Sequence, residues 1–370
     1  MTFLNHGSYG ATPIAIQKEQ ARWRERLEAQ PVRFMLDIAP KEIRRAADSL
    51  AAFLGVNGQD IGFVENATAG INAVLRSLTF KAGDEVLVTD HIYNAIRNTL
   101  RDVLEPVGAR LVVVEIGMPV PSPAAIRDRI LAAAGDATRL ILIDHIASVS
   151  AVIFPVAEIA AAAHSRSIPV LVDGAHGPGL VDIDLPDLGA DWYVGNCHKW
   201  LCAPKGAGFV WAAPKRQAGL HPPVISHAYG EGFTAEFDMV GTRDASAWLS
   251  VPAAIDAHLA QGGPHLRARN RSVALDAAER LKRRWGTCLG GAPEQFGGMV
   301  TVRLPDGLPD GPEVADQMRR WTWEQRRVEL VVSWFSGAHW LRLSVPAYIT
   351  PEDLDAAAPA IEAGIKALGK

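Results

Sequence analysis

Val170-Leu171-Val172-Asp173-Gly174-Ala175-His176-Gly177 is the stretch on which the reading of this chain turns. Three consecutive apolar residues without alternation, closed by turn formers, read as a short strand buried on both faces. An aspartate at the end of such a strand needs a partner, because an isolated buried charge is costly. Taken alone, Asp173 reads equally as a helix cap, as half of an ion pair, or as a site residue. Twenty-six residues further on, Lys199 lies in Trp192-Tyr-Val-Gly195-Asn196-Cys197-His198-Lys199-Trp200. This too is an apolar strand ending in small and polar residues. A lysine flanked by His and Trp at the end of a central strand is partly desolvated, which lowers its pKa and makes it a usable nucleophile and base. A solitary lysine here would be an ordinary snorkelling side chain; paired with Asp173 on a neighbouring strand, it is not.

Outward from these two strands, the pattern alternates. Helix is expected from Thr12-Pro13 through about Ala29, from about Pro40 to Leu54, and then over Asn66–Leu78, Tyr93–Leu104, Pro123–Ala134 and Val156–Ser167. Strand is expected over Glu85–Thr89, Arg110–Glu115, Leu140–Asp144, Val170–Asp173, Asp191–Gly195 and Gly208–Trp211. Short apolar runs alternating with helix-length segments predict an α/β fold with a mostly parallel sheet covered on both faces, whose ligands bind at the strands' C-terminal rim. After about Gly241 the pattern changes. Helices at about Ala245–Ala260 and Pro264–Trp285 lead into strands Met299–Arg303, Glu329–Val332 and Trp340–Ser344, with helices near Pro312–Glu324 and from Pro351. These make a small α+β domain. The expected division is an N-terminal segment 1–12, a large domain 13–244 and a small domain 245–370.

The chain's 370 residues, 48% of them apolar, exceed what one compact core needs and are too apolar for disorder. A net charge of −4 without a polybasic stripe argues against nucleic acid or a membrane as partner. Arg22–Arg24–Arg26, Arg267–Arg269–Arg271 and Lys282–Arg283–Arg284 read as solvated helix faces. Three cysteines, Cys197, Cys202 and Cys288, make neither a disulfide framework nor a metal-ligand pattern, so no metal is expected. With no signal-like leader and no apolar run of spanning length, the expectation is a soluble, cytoplasmic protein.

A third element completes the chemistry. In Glu65-Asn66-Ala67-Thr68-Ala69-Gly70, small residues open a helix, leaving backbone N–H groups accessible beside the Thr68 hydroxyl. That suits a phosphate, although most such sequences are only caps. A lysine for a Schiff base, a carboxylate for a pyridinium nitrogen and an anion cradle together fit pyridoxal 5′-phosphate. On these motifs the chain resembles the class V branch of fold-type I pyridoxal-phosphate enzymes, and more narrowly isopenicillin N epimerase and its relatives. The resemblance runs from Leu4-Asn-His-Gly-Ser-Tyr-Gly10 through Asp173-Gly-Ala-His176 and Asn196-Cys-His-Lys-Trp-Leu-Cys-Ala-Pro-Lys-Gly206 to Gly241-Thr-Arg-Asp244 and Leu341-Arg-Leu-Ser344. The lysine-centred block is its most specific part.

The resemblance implies a fold-type I large domain with a seven-stranded type of sheet, and a homodimer with shared active sites. It implies that Lys199 bonds the cofactor and then moves protons at Cα. Asp173 pairs with the ring nitrogen, and His176 lies near the phenolic oxygen. Ala67, Thr68 and His198 hold the phosphate, and Thr242 reaches the phosphate of the opposite subunit. Tyr93 stacks on the ring, Ser148 bonds its oxygen, and Arg342 clamps the substrate carboxylate with help from Asn5, His6 and Gly7. Each has an ordinary alternative: core packing for Tyr93, a cap for His176, an ion pair for Arg342, a plain loop serine for Ser148, a frayed terminus for the first residues. The family often has Ser or Thr where Asn196 and Cys197 stand, which puts those phosphate contacts in question.

The implied substrate is a small molecule, an amino acid or peptide-like amino acid, and the first expectation is epimerisation at Cα. Carbon–sulfur bond cleavage comes second and transamination third, because one scaffold hosts all three. A two-base epimerase needs a proton donor opposite Lys199, for which Tyr93, His91 and His6 are candidates. Cysteine desulfurases of this superfamily use a persulfide-forming cysteine on a late loop. Only Cys202 and Cys288 follow Lys199, so that activity is not expected. A reading from another class, a catalytically silent cofactor-binding regulator, stands against the presence of every expected chemical group.

Overall fold

The computed structural model describes residues 1–369. Twelve strands form three sheets: β1 (Thr2–Phe3), β2 (Ile61–Val64), β3 (Glu85–Thr89), β4 (Arg110–Val114), β5 (Thr138–Asp144), β6 (Val170–Gly174), β7 (Trp192–Asn196), β8 (Gly208–Ala212), β9 (Met299–Arg303), β10 (Val328–Glu329), β11 (Val331–Phe335) and β12 (Ala338–Ser344). The main sheet has seven strands in the order β2-β8-β7-β6-β5-β3-β4. Pairings from β7 through β6, β5 and β3 to β4 are parallel, while β8 runs antiparallel to both β7 and β2.

Two apolar layers cover this sheet, and each strand contributes to them in turn. Leu87, Ile141, Ile143, Val170, Val172, Tyr193 and Phe209 belong to one buried cluster. Their chain neighbours Val86, Val88, Leu140, Leu142, Leu171, Trp192, Val194 and Val210 belong to the other. This is the two-residue period of a pleated strand, hidden from the hydropathy pattern because both faces are apolar. Helices Ala67–Ser77 and Asn94–Leu104 pack on the second face; Ala39–Leu54, Pro123–Ala133, Val156–His164 and Val251–Ala260 pack on the first.

Downstream, β11, β12 and β9 form an antiparallel sheet backed by helices Pro264–Trp285 and Pro312–Arg326. The first residues are not frayed: β1 pairs in parallel with β10, and Leu4 is fully buried. Among the differences from the sequence reading, three bear on the sheets and the helices that cover them. Strand β2 was not expected. The helix expected over Ala245–Ala260 is two pieces, Ser246–Leu249 and Val251–Ala260, divided at Ser250 just before Pro252. The strand expected over Glu329–Val332 is likewise divided between β10 and β11. No described helix is long and apolar enough to cross a membrane.

Candidate active site

At the C-terminal rim of the sheet, β5 and β7 end in Asp144 and Asn196, Asp173 is the last residue but one of β6, and the turn after β7 carries Lys199. These residues line a cavity of about 490 Å³ together with Ser8, Tyr9, Ala67, Thr68, Tyr93, Ser148, His176, His198 and Lys205. The parallel crossovers gather residues distant in sequence onto one rim.

Lys199 sits 3.1 Å from Nε2 of His176. On the other side of that ring, the Trp200 indole N–H donates to Nδ1 at 3.4 Å. Because Nδ1 accepts, the neutral imidazole carries its proton on Nε2 and presents it to the lysine nitrogen. An amine accepts that hydrogen bond and an ammonium does not. The arrangement therefore favours neutral Lys199, in the same direction as its environment: burial and the Arg342 charge lower its pKa from the ordinary 10.5 to about 8. Burial, with the nearby cationic groups, likewise holds His176 well below its ordinary value.

Asp173 is 5% exposed. Its Oδ1 accepts the Ala175 N–H at 3.0 Å, and no salt bridge among the described residues engages it. Burial raises its pKa, partly offset by Ala175 and Lys199. Beneath it, the Tyr193 hydroxyl is hydrogen-bonded to Nδ1 of His145 at 3.0 Å. The tyrosine ring lies where a side chain at Gly174 or Gly177 would be, so glycine is required at both.

Helix Ala67–Ser77 begins at the cavity. Asn66 caps it by accepting from the Ala69 N–H, and Oδ1 of Asn196 accepts the Ala67 N–H at 2.8 Å. Asn196 thus ties β7 to the helix start, and the Ala67 amide is already engaged. The Thr68 hydroxyl has no hydrogen bond among the described residues and faces the cavity. His198 also lines it; its Nδ1 donates to the Ala207 carbonyl at 3.0 Å, leaving Nε2 free. Thr242 does not line this cavity. With Thr68, Asn66 and Arg243 it lines a neighbouring one of about 490 Å³.

Arg342, on β12, is 3% exposed and has no carboxylate partner among the described residues. Nη1 donates to the carbonyl and hydroxyl of Ser148 at 2.6 and 3.0 Å; Nη2 donates to Ser8 Oγ at 3.0 Å and Asn5 Oδ1 at 3.4 Å. Its Nε is buried without a partner. Every acceptor is neutral, so this is not an ordinary ion pair, and burial lowers its pKa to about 10. Ser8 and Ser148 separate it from the cavity that they line.

The remaining expected residues divide clearly. Tyr93, 51% exposed, is not core. His6 is fully buried: its Nδ1 accepts from the Tyr348 hydroxyl and the Ala11 N–H, and its Nε2 donates to the Lys199 carbonyl. Gly7 is buried against Met299, Ser344 and Trp200. His6 and Gly7 anchor the segment, whereas Ser8 and Tyr9 face the cavity. His91 is also tied at both nitrogens, to Ser150 and to the Gly117 carbonyl. No cysteine lines the cavity; Cys202 faces His6 and burial pushes its thiol up to about 11. Within the N-terminal segment sequence reasoning singled out Asn5, His6 and Gly7 rather than Ser8 and Tyr9, and it missed Lys205 and Asp144 as cavity residues. Asp144 carried the same signal as Asp173, an apolar run ending in aspartate.

The sequence model of the family described as Aminotransferase class-V matches residues 19–313. The isopenicillin N epimerase of Streptomyces clavuligerus is 35% identical over 97% of this chain and 94% of that protein. A putative L-cysteine desulfhydrase 1 of Oryza sativa subsp. japonica is 34% identical over 86% of this chain and 69% of its own length. Among solved structures, a cystine C-S lyase in complex with its product cysteine persulfide superposes with a TM-score of 0.82, covering 97% of each chain at 20% identity. That likeness is one of fold.

Proposed function

The chain belongs to the aminotransferase class-V family and is a pyridoxal 5′-phosphate enzyme, and we propose that it acts at Cα of an amino acid or peptide-like amino acid, with epimerisation as the outcome. The observation that carries the substrate class is Arg342: a buried guanidinium whose partners are all neutral oxygens. A substrate carboxylate exchanging with the oxygens of Ser8 or Ser148 supplies the missing charge in the bidentate geometry that guanidinium favours.

The cavity suits the cofactor on three counts. The unengaged Thr68 hydroxyl lies at the start of an eleven-residue helix; a buried carboxylate has one oxygen without a partner; and a lysine has a pKa of about 8. Lys199 would bond the cofactor, Asp173 its ring nitrogen, and His176 Nε2–H with Ser148 its phenolic oxygen. Tyr93 would stack on the ring, and Thr68, His198 and the helix start would hold the phosphate. His198, whose Nδ1 donates elsewhere, offers Nε2 as a donor only when protonated, a state that a phosphate dianion favours. Thr242 is assigned to the phosphate of a second subunit in a homodimer.

When bound, the cofactor delocalises the electron pair left at Cα by proton loss. Lys199 takes that proton as a neutral amine, and Asp173 holds its charge against the ring nitrogen. Return of a proton to the opposite face falls to Tyr93, because both nitrogens of His91 and of His6 are engaged.

The second reading is carbon–sulfur β-elimination, favoured by an L-cysteine desulfhydrase relative nearly as similar as the epimerase. Incubation of the cofactor-loaded enzyme with candidate amino acids in deuterium oxide separates the two. Racemised product deuterated at Cα supports epimerisation; ammonia, a keto acid and a released sulfur fragment support the lyase. A keto acid with an aminated cofactor would overturn both in favour of transamination.

A further inference from the structure

The floor of the cavity holds a second carboxyl group. Asp144 ends β5, Asp173 is the last residue but one of β6, and the two are register partners on adjacent parallel strands. They also leave the sheet on the same face. Asp144 is in phase with Leu140 and Leu142, and Asp173 with Leu171, all three in the same buried cluster. Adjacent strands are about 4.8 Å apart, so the side chains stand next to each other. Asp144 is 4% exposed, lines the cavity, and has no side-chain hydrogen bond or salt bridge among the described residues. Two carboxylates so placed, out of water and without an arginine, lysine or histidine in salt-bridge contact, cannot both ionise.

We propose that Asp144 retains the one proton this pair keeps at neutral pH, making it a positioning residue that leaves Asp173 as the single anion of the cavity floor. Asp173 is the ionised member because it accepts the Ala175 N–H at 3.0 Å, whereas among the described residues no other residue donates to the Asp144 carboxyl. The surrounding groups agree. Just after β5, His145 is neutral and bonded to Tyr193 of β7. After β6, His176 is neutral. After β7, Lys199 and His198 are lowered. From β12, Arg342 spends its hydrogen bonds on neutral oxygens. Burial and then Asp173 raise Asp144, and its own backbone N–H and then Lys199 oppose them only in part. The consequence for catalysis rests on Asp173 serving the ring nitrogen; the shared proton does not.

Infrared difference spectra of wild-type minus Asp144→Asn apoprotein near neutral pH test this directly. The expected result is the carbonyl stretch of a protonated carboxylic acid in the wild type and its loss in the variant. Asparagine imitates the neutral acid but cannot ionise, so cofactor-loaded Asp144→Asn should lose the alkaline shift of the cofactor absorbance expected in the wild type from ionisation of Asp144. In Asp173→Asn, the Asp144 band should titrate away at lower pH than in the wild type, since the like-charged neighbour is gone. Absence of the band in wild type, its persistence in Asp144→Asn, or an unmoved midpoint in Asp173→Asn overturns the proposal. A wild-type band in a protein that fails to retain the cofactor at Lys199 would instead overturn the assigned site and leave the shared proton standing.

Discussion

Lys199 owes its reactivity to three things: the burial that desolvates it, the Arg342 charge, and a histidine whose tautomer Trp200 sets. Its free-amine fraction rises with pH through about 8, so the rate at which apoprotein captures the cofactor aldehyde should rise over the same range. Arg342→Gln removes the largest charge opposing the ammonium and should move that limb to higher pH, towards the ordinary 10.5. Stopped-flow absorbance against pH checks this, and an unmoved limb would show that Arg342 does not act on Lys199. The same variant loses charge-assisted hydrogen bonds to the substrate, worth about 2–3 kcal/mol, or a ~30- to 160-fold fall in kcat/KM.

At the scale of elements, the N-terminal segment is held against the lysine turn. His6 donates to the Lys199 carbonyl, and Gly10, with φ of 73°, passes so close to the His198 and Lys199 backbone that a Cβ has no room. Gly10→Ala should destabilise the protein by about 1–3 kcal/mol and lower turnover by loosening Ser8 and Tyr9. Chemical denaturation and limited proteolysis near residue 10 measure both, and wild-type values in each would refute the anchoring. Segments such as Glu85–Thr89, Pro264–Trp285 and Met299–Arg303 were legible because turn formers bound them sharply. Strand β2 was not: four residues interrupted by Gly62 carry no period, and Gly62 is there because Phe237 packs where a side chain would stand. In the site, Lys199 and Asp173 were legible as strand ends. The ties of His6 and His91 were not, because partners such as Tyr348 and Ser150 are brought to them only by the fold.

Across the whole molecule, burial holds His6, His145, His198 and His258 neutral, each near pKa 4 against an ordinary 6.5. Between those values the unfolded chain binds protons that the folded chain refuses, so stability falls as pH drops from 6.5 to 4. Buried carboxyls with raised pKa, Asp144, Asp173 and Asp238, act in the opposite sense over part of this window and blunt the fall without cancelling four histidines. Urea unfolding of apoprotein across this range should show declining stability, and His145→Gln should remove up to ~3 kcal/mol of the decline. A flat profile would contradict this.

The architecture also brings three strand ends and two remote segments to one rim, and everything proposed depends on which nitrogen there holds the cofactor. Borohydride reduction of the coloured protein, followed by digestion and mass spectrometry, asks this directly. The expected result is one reduced pyridoxyl adduct, on the peptide bearing Lys199, absent from Lys199→Ala. A colourless protein, or an adduct on Lys205 or any other lysine, would contradict the account.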